Sequence, residues 1–161
     1  MVAGSISREN VSRVSLDRIW KGGVLDSHNL LPKILPDFIS SVELSEGDGG
    51  PGTLKKIIFT DAVKEFRSIK EKNEVLDSEN HIVKHSVIEG GLIGLRLKSY
   101  SFELKFEVIN NSETLGKLKI EYETIDDTPL NDEEQEEISK SFFLIVKAID
   151  EYLTNNPTAY A

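Results

Sequence analysis

The stretch Glu46-Gly47-Asp48-Gly49-Gly50-Pro51-Gly52-Thr53 lies immediately before the apolar run Leu54–Phe59. Its four glycines in six positions allow positive φ angles and close approach of the backbone, so the stretch predicts a tight loop. The segments on either side, Ser41–Leu44 and Leu54–Phe59, have the composition and period of strands. The loop is therefore predicted to join two strands of one sheet as a hairpin turn.

A phosphate-binding loop is the alternative interpretation of this glycine-rich stretch. Nucleotide-binding loops of similar composition end in Gly-Lys-Ser/Thr and open a helix. Here that ending is absent, and the strand-like Leu54–Phe59 follows instead. The pattern favours a structural loop.

The rest of the chain alternates between strand-like and helical periods. The clearest strand is Tyr100–Val108, with an apolar residue at every second position, and a turn at 110–112 leads into a returning strand at 115–122. Two short helices are expected near 16–24 and 30–35, and Asn131 is expected to cap a long amphipathic helix with acidic first turns. Strands followed by one long helix indicate a single α+β domain, residues 1–161, in which the helix lies across a curved antiparallel sheet.

Bulk composition narrows the classes of function. A chain of 161 residues with 39% hydrophobic and 29% charged content is typical of one globular domain. The net charge of −9 opposes binding to nucleic-acid phosphates. There is no cysteine, which excludes disulfides and cysteine-ligated zinc. No segment is long and apolar enough for a signal peptide or membrane span, so a cytoplasmic protein is expected.

Four segments occur in the order and at the positions typical of one known family. They are Asn29–Lys33, the glycine-rich stretch through Lys56, Val87–Gly91, and Glu151–Leu153 together with Ala159-Tyr160. Over essentially its whole length the chain resembles the plant Bet v 1 family, the pathogenesis-related class 10 proteins. The resemblance implies a seven-stranded curved antiparallel sheet wrapped around a long C-terminal helix, with two short helices. It also implies an enclosed hydrophobic cavity that holds amphipathic small molecules.

The same resemblance suggests which residues contact a ligand. Val83 and His85 occupy positions where relatives often carry cavity tyrosines, and His85, Lys117, Tyr100 and Ser68 are the candidate polar contacts. The apolar members of the set would suit a filled core equally well, because their period alone does not distinguish a cavity wall from close packing. The expected ligand-binding residues are Ile57, Phe59, Phe66, Ser68, Val83, His85, Tyr100, Phe102, Leu104, Lys117, Ile138, Phe142 and Ile145.

The resemblance implies reversible binding of phytohormones, flavonoids or alkaloid precursors in a defence or stress response. No cofactor is expected, and a monomer is expected because no exposed strand or heptad demands a partner. The alternative is an enzyme of the same fold that performs a Pictet–Spengler-type condensation or an isomerisation, with Lys117 transferring protons. Plain strand alternation opposes that role, because it places Leu118, Ile120 and Tyr122 on the core face and Lys117 in water. The family pattern instead points Lys117 inward.

A ribonuclease is a third possibility within the family and is disfavoured. The positions implied for it are Lys55, Lys98, Asp150 and Tyr152, and the second of these is a lysine where an acid is needed. General acid–base cleavage requires two groups with opposed proton roles. A metal site is also not expected, because His28, His81 and His85 lack further ligands at a suitable spacing.

Overall fold

The computed structural model describes residues 1–161 and contains seven strands and three α-helices. The strands are β1 (Ala3–Ser12), β2 (Ile39–Glu46), β3 (Leu54–Phe59), β4 (Ser68–Asp77), β5 (Ile82–Gly90), β6 (Leu97–Asn110) and β7 (Glu113–Thr124). The helices are α1 (Leu16–Ile19), which continues as a π-helical segment (Trp20–Leu25), α2 (Ser27–Ile34) and α3 (Asp132–Asn155).

All seven strands form one antiparallel sheet in the order β1-β7-β6-β5-β4-β3-β2. The first two strands lie at opposite edges, so the connection through α1 and α2 crosses the open side of the curved sheet. The long helix α3 follows the last strand and packs against β1, α1 and α2. This architecture confirms the predicted α+β fold, with a seven-stranded curved sheet, a long C-terminal helix and two short helices.

β4 is an irregular strand. It begins at Ser68, so Phe66, which is predicted to contact a ligand, lies in the preceding loop. Two register shifts interrupt the pairing of β4 with β5, between Lys70 and Glu71 and between Asn73 and Val75. These irregularities mean that simple alternation cannot be extended along β4 to decide which side chains face inward.

Gly23 is placed where the segment after α1 approaches α3. A Cβ atom built on Gly23 would lie 3.3 Å from Cδ1 of Ile149. Because so close a contact leaves little room for any side chain, a glycine here allows the two helical segments to pack together.

The N-terminus of α3 has the cap that the sequence predicts. Oδ1 of Asn131 accepts a 2.8 Å hydrogen bond from the Glu134 amide, and the Glu134 carboxylate accepts a 3.2 Å bond from the Asn131 amide. This reciprocal capping box satisfies two of the free N–H groups at the helix start. The longest helix, like the others, is not apolar enough to cross a membrane.

Most buried apolar residues belong to two large clusters. One cluster joins β1, β6 and β7 near the start of α3, and includes Ile6, Leu97, Ile120 and Leu130. The other joins α1, α2 and the end of α3, and includes Leu30, Ile149 and Leu153. Most of the residues expected to line the site belong to these clusters or to a third one, Leu16, Trp20 and Val83, or pack against them.

Candidate ligand-binding site

The apolar residues predicted to line the site lie on the inner face of the sheet and on the facing side of α3. Ile57, Phe59, Val83, Tyr100, Phe102 and Leu104 come from strands, and Ile138, Phe142 and Ile145 come from α3. The rings of Phe102 and Phe142 stack across the interior with centroids 5.9 Å apart. Phe66 joins from its loop, with its ring 5.4 Å from that of Phe59.

Most of these apolar side chains are only half-buried, although they lie between the sheet and the helix. Val83 and Tyr100 are 1% and 5% exposed. The half-buried members are Ile57, Phe59, Phe66, Phe102, Leu104, Ile138, Phe142 and Ile145. A close-packed protein interior leaves few voids, so accessible surface on inward side chains indicates space between them.

Lys55 places an ammonium group at the inner side of β3. The residue is 5% exposed, and its Nζ donates a 3.1 Å hydrogen bond to Oγ of Ser27 on α2. Burial lowers the pKa of Lys55, and the nearby carboxylate of Glu71, its cross-strand neighbour on β4, opposes that shift. A partly desolvated lysine of this kind can donate to a bound acceptor or exchange a proton.

His85 is the second polar group of the interior. Its Nδ1 lies 2.8 Å from Oδ1 of Asn73, the residue opposite it on β4. Burial lowers the pKa of His85; the Glu71 carboxylate opposes this shift and the Lys55 ammonium adds to it. The lowered pKa favours the neutral form of the imidazole.

Tyr100 contributes a hydroxyl that is already engaged by the backbone. This oxygen accepts a 3.1 Å hydrogen bond from the amide of Leu92, just after the turn that contains Gly91. Burial raises the pKa of Tyr100. The side chain thus fixes the β5–β6 connection while its ring forms part of the apolar wall.

The glycine-rich loop is a β2–β3 connection, as the sequence predicts, and its amides are largely used internally. Gly47, Gly49 and Gly52 have positive φ angles of 93°, 105° and 85°. The amides of Gly49 and Gly50 donate to Oγ1 of Thr53 and Oδ1 of Asp48 at 2.9 and 3.0 Å. The loop is therefore a closed turn without the array of free amides that a phosphate cradle requires.

Asn73 ties this loop to the interior. Its Nδ2 donates to the carbonyl of Gly49 at 3.1 Å and lies 3.4 Å from that of Gly50, while its main chain bonds Gly52 and Thr53. Asn73 is 2% exposed and also contacts His85, so one buried amide side chain joins the surface loop to the site.

Two predicted polar contacts are wrong, because their side chains lie on the outer face of the sheet. Ser68 borders a small polar recess of about 130 Å³ together with Lys56 and Lys70. Lys117 pairs with Glu107 at 3.2 Å and alternates with buried Leu118, as plain strand alternation indicates. The inward orientation of Lys117 suggested by the family pattern is therefore corrected.

The residues implied for a ribonuclease are dispersed among different partners. Lys55 bonds Ser27 inside the sheet, whereas Lys98 lies on the surface at the start of β6. Asp150 accepts a 2.8 Å bond from Ser12, and Tyr152 accepts one of 2.9 Å from Lys33.

The three histidines also have separate neighbours, which are Asn29 for His28, Trp20 for His81 and Asn73 for His85. No group of three or more His, Asp or Glu side chains is placed to hold a metal ion.

Glu71, Asn73 and Ser27 were not identified from the sequence as site residues. The first two lie in a polar stretch of β4 whose inner face is obscured by the two register shifts. Ser27 reaches Lys55 from α2, a contact between residues 28 positions apart that no local pattern shows. The sequence did contain one signal for this pair. Glu71 and Asn73 are two positions apart on a strand, so their side chains share one face of the sheet.

The chain matches the model of the "Pathogenesis-related protein Bet v 1 family" over residues 1–156. It is 36% identical to pathogenesis-related protein STH-2 of Solanum tuberosum over 157 residues, which cover 98% of this chain and 97% of the relative. It is 34% identical to major pollen allergen Bet v 1-M/N of Betula pendula, with 94% of each chain covered.

Solved structures show the same architecture. The crystal structure of Ara h 8.0201 superposes with a TM-score of 0.84 at 28% identity, covering 96% of this chain and 99% of the other. A structure of norcoclaurine synthase from Thalictrum flavum, in complex with dopamine and hydroxybenzaldehyde, has a TM-score of 0.76 at 24% identity, with 96% and 88% covered. The sequence matches and the shared fold together show that this chain belongs to the pathogenesis-related protein Bet v 1 family.

Proposed function

We propose that this protein reversibly binds small amphipathic plant molecules, such as phytohormones, flavonoids or alkaloid precursors, between the sheet and α3. We further propose that residues 1–161 act as one ligand-binding domain and that the protein works as a monomer. Affinity comes from burying apolar ligand surface, and a few polar groups set the ligand's orientation.

The observation that carries the proposal is the placement of Lys55 and His85 among half-buried apolar side chains. Small-molecule sites are typically apolar and concave, with a small number of polar groups aimed inward. Lysine and histidine are expensive to bury in a core that serves packing alone. Their presence beside accessible apolar surface favours a binding site over a filled core.

Family membership supports the same conclusion at a coarser level. Members of the family generally bind small hydrophobic ligands. The relatives named as pathogenesis-related proteins support a defence-related role for a ligand-binding protein.

A fluorescence titration with the apolar anionic probe ANS tests the proposal. We expect saturable binding to the folded protein, followed by displacement with at least one member of a panel of cytokinins, flavonoids and benzylisoquinoline precursors. Failure of ANS and of every panel member to bind would contradict the proposal.

Two lysine variants test whether ANS binds in the interior or on the outer face of the sheet. Lys55→Met removes a buried ammonium while keeping the length of the side chain, and we expect it to weaken ANS binding about tenfold, since hydrogen bonds to charged groups contribute about 1.5–3 kcal/mol. Lys117→Met is the matched control and is expected to leave ANS affinity within about twofold, because that ammonium lies on the outer face beside Glu107. Equal effects of the two substitutions would argue against the interior site.

The enzyme alternative is supported by one specific observation, the burial of the Lys55 ammonium opposite Glu71 inside the site. Lys117 is a poor candidate for it, since its ammonium lies on the outer face. Incubation of the protein with dopamine and an aromatic aldehyde, with product analysis by chiral chromatography, tests this alternative. Enantiomerically enriched condensation product that depends on Lys55 would favour the enzyme.

A further inference from the structure

The orientation of the Asn73 side chain is fixed by the glycine-rich loop. One end of its amide group faces the carbonyl oxygens of Gly49 and Gly50, at 3.1 and 3.4 Å. A carbonyl oxygen only accepts hydrogen bonds, so the end that faces these two groups must be the NH₂ of Asn73. The other end, Oδ1, is therefore a hydrogen-bond acceptor that points at His85.

This orientation determines the tautomer of His85. Its Nδ1 lies 2.8 Å from Oδ1 of Asn73, and a hydrogen bond between them requires the proton to be on Nδ1. A neutral imidazole carries only one ring proton, so Nε2 has none and can only accept. The loop thus sets the hydrogen-bonding character of a nitrogen atom inside the site, through one buried asparagine.

Nε2 of His85 faces open space rather than a protein donor. No side chain or amide of the protein bonds this nitrogen. All fully enclosed side-chain nitrogen and oxygen atoms in the molecule have a partner, so an unpartnered Nε2 must border accessible space. His85 sits on the inner face of β5 between Asn73 and the half-buried ring of Phe102, beside the charges of Lys55 and Glu71.

We propose that His85 selects ligands bearing a hydroxyl or N–H group, which donates to Nε2, and that the glycine-rich loop sets this preference through Asn73. The inference rests on the proposed function and names the chemical class of ligand for the same site. A ligand that presents only an acceptor, such as an ether oxygen, to His85 leaves two lone pairs facing each other and a buried nitrogen unsatisfied.

The tautomer is tested directly by NMR on ¹⁵N-labelled protein near neutral pH. Long-range ¹H–¹⁵N correlations distinguish a protonated from an unprotonated ring nitrogen, and only three histidines are present. We expect the signals assigned to His85, identified by their loss in His85→Leu, to show a protonated Nδ1 and an unprotonated Nε2. The opposite tautomer, or a charged ring, would overturn the proposal.

Ligand selection is tested with 2-naphthol and 2-methoxynaphthalene, which share an aromatic body and differ in the hydroxyl donor. We expect the wild-type protein to bind 2-naphthol about three- to tenfold more tightly, after subtraction of the difference in their partition into octanol. His85→Leu is expected to abolish that ratio, whereas His28→Gln, a substitution on α2, is expected to preserve it.

The possible outcomes separate this inference from the proposed function. Equal corrected affinities in the wild-type protein, or a ratio that survives His85→Leu, would overturn the role of His85 and leave ligand binding intact. No binding of either naphthalene, together with no binding of ANS, would overturn the proposed function and this inference with it. If His85→Leu does not fold, the wild-type affinity ratio still decides the matter, and the His85 signals are assigned instead by the loss of the other two sets in His28→Gln and His81→Gln.

Discussion

Tyr160 joins the C-terminal residues to the start of α2. Its hydroxyl donates a 2.6 Å hydrogen bond to Oδ2 of Asp26, and its ring lies where a side chain on Gly22 would collide with it. Burial and the adjacent carboxylate raise the pKa of Tyr160 to about 12. A tyrosine in an unfolded chain titrates near pH 10, so the folded protein holds this proton more tightly.

A proton held more tightly in the folded state makes stability depend on pH in a known direction. The contribution of Tyr160 is complete below about pH 10 and is lost as the pH rises toward about 12. We expect Tyr160→Phe to show a smaller fall in the free energy of unfolding than the wild-type protein between pH 9.5 and 11. Urea titrations at several pH values measure this, and Tyr100 serves as an internal reference because both proteins retain it. Parallel pH curves for the two proteins would contradict the assignment.

Lys117 and Ser68 show which single residues can be placed from the sequence. Alternation located Lys117 on the outer face because β7 runs without a register shift from Thr114 to Lys119. Ser68 was predicted to contact a ligand, yet β4 begins at that residue and its pairing with β5 is irregular. The orientation of a side chain is thus predictable within a regular strand, and it is lost where a strand begins or bulges.

At the scale of elements, α3 is defined by local signals that the sequence contains in full. An asparagine cap, a glutamate three residues later and an apolar stripe at helical spacing predict where it begins and which side it buries. The first turn of α3 also contacts the β5–β6 connection, because Nε of Arg96 donates a 2.6 Å hydrogen bond to the Glu134 carboxylate.

The cap gives a prediction about this element. Asn131→Ala removes the acceptor of the Glu134 amide and is expected to lower the free energy of unfolding by about 1 kcal/mol. Asn131→Asp keeps that acceptor and is expected to change stability by less than about half as much. Urea denaturation monitored by circular dichroism measures both. An alanine variant as stable as the aspartate variant would show that Arg96 alone holds the helix start.

The polar interior, in contrast, is assembled by pairing between elements. Lys55 lies opposite Glu71 and Asn73 lies opposite His85 because β4 pairs with β3 on one side and with β5 on the other, and Ser27 reaches Lys55 from α2. The family resemblance pointed to His85 as a ligand contact and to Lys55 as a ribonuclease position, but it did not predict that the two residues lie close together. The family resemblance supplied the order of strands, and the register shifts in β4 decided the rest.

At the scale of the whole molecule, burial is unevenly distributed along α3. Ile149 is 8% exposed and packs in the cluster that includes Leu30 and Leu153, next to Gly23. Ile145, one turn earlier on the same helix, is half-buried and packs against the edge of the same cluster. If Ile145 borders a binding space, packing should stabilise the fold less around Ile145 than around Ile149.

Ile145 and Ile149 provide a matched test, because the same atoms are removed from the same helix. We expect Ile149→Ala to lower the free energy of unfolding by roughly 2–5 kcal/mol, the usual result of truncating a well-packed isoleucine. Ile145→Ala is expected to cost less than about half of that, since its neighbours already leave accessible surface and its loss removes fewer contacts.

Urea titrations measure the stabilities of both variants, and ANS titrations of the same variants measure ligand binding at the site. Because Ile145 lies in the proposed wall, its truncation should change ANS affinity more than that of Ile149. Equal losses of stability would mean that the interior is packed as tightly around Ile145 as around Ile149, and the ligand would then need another place to bind.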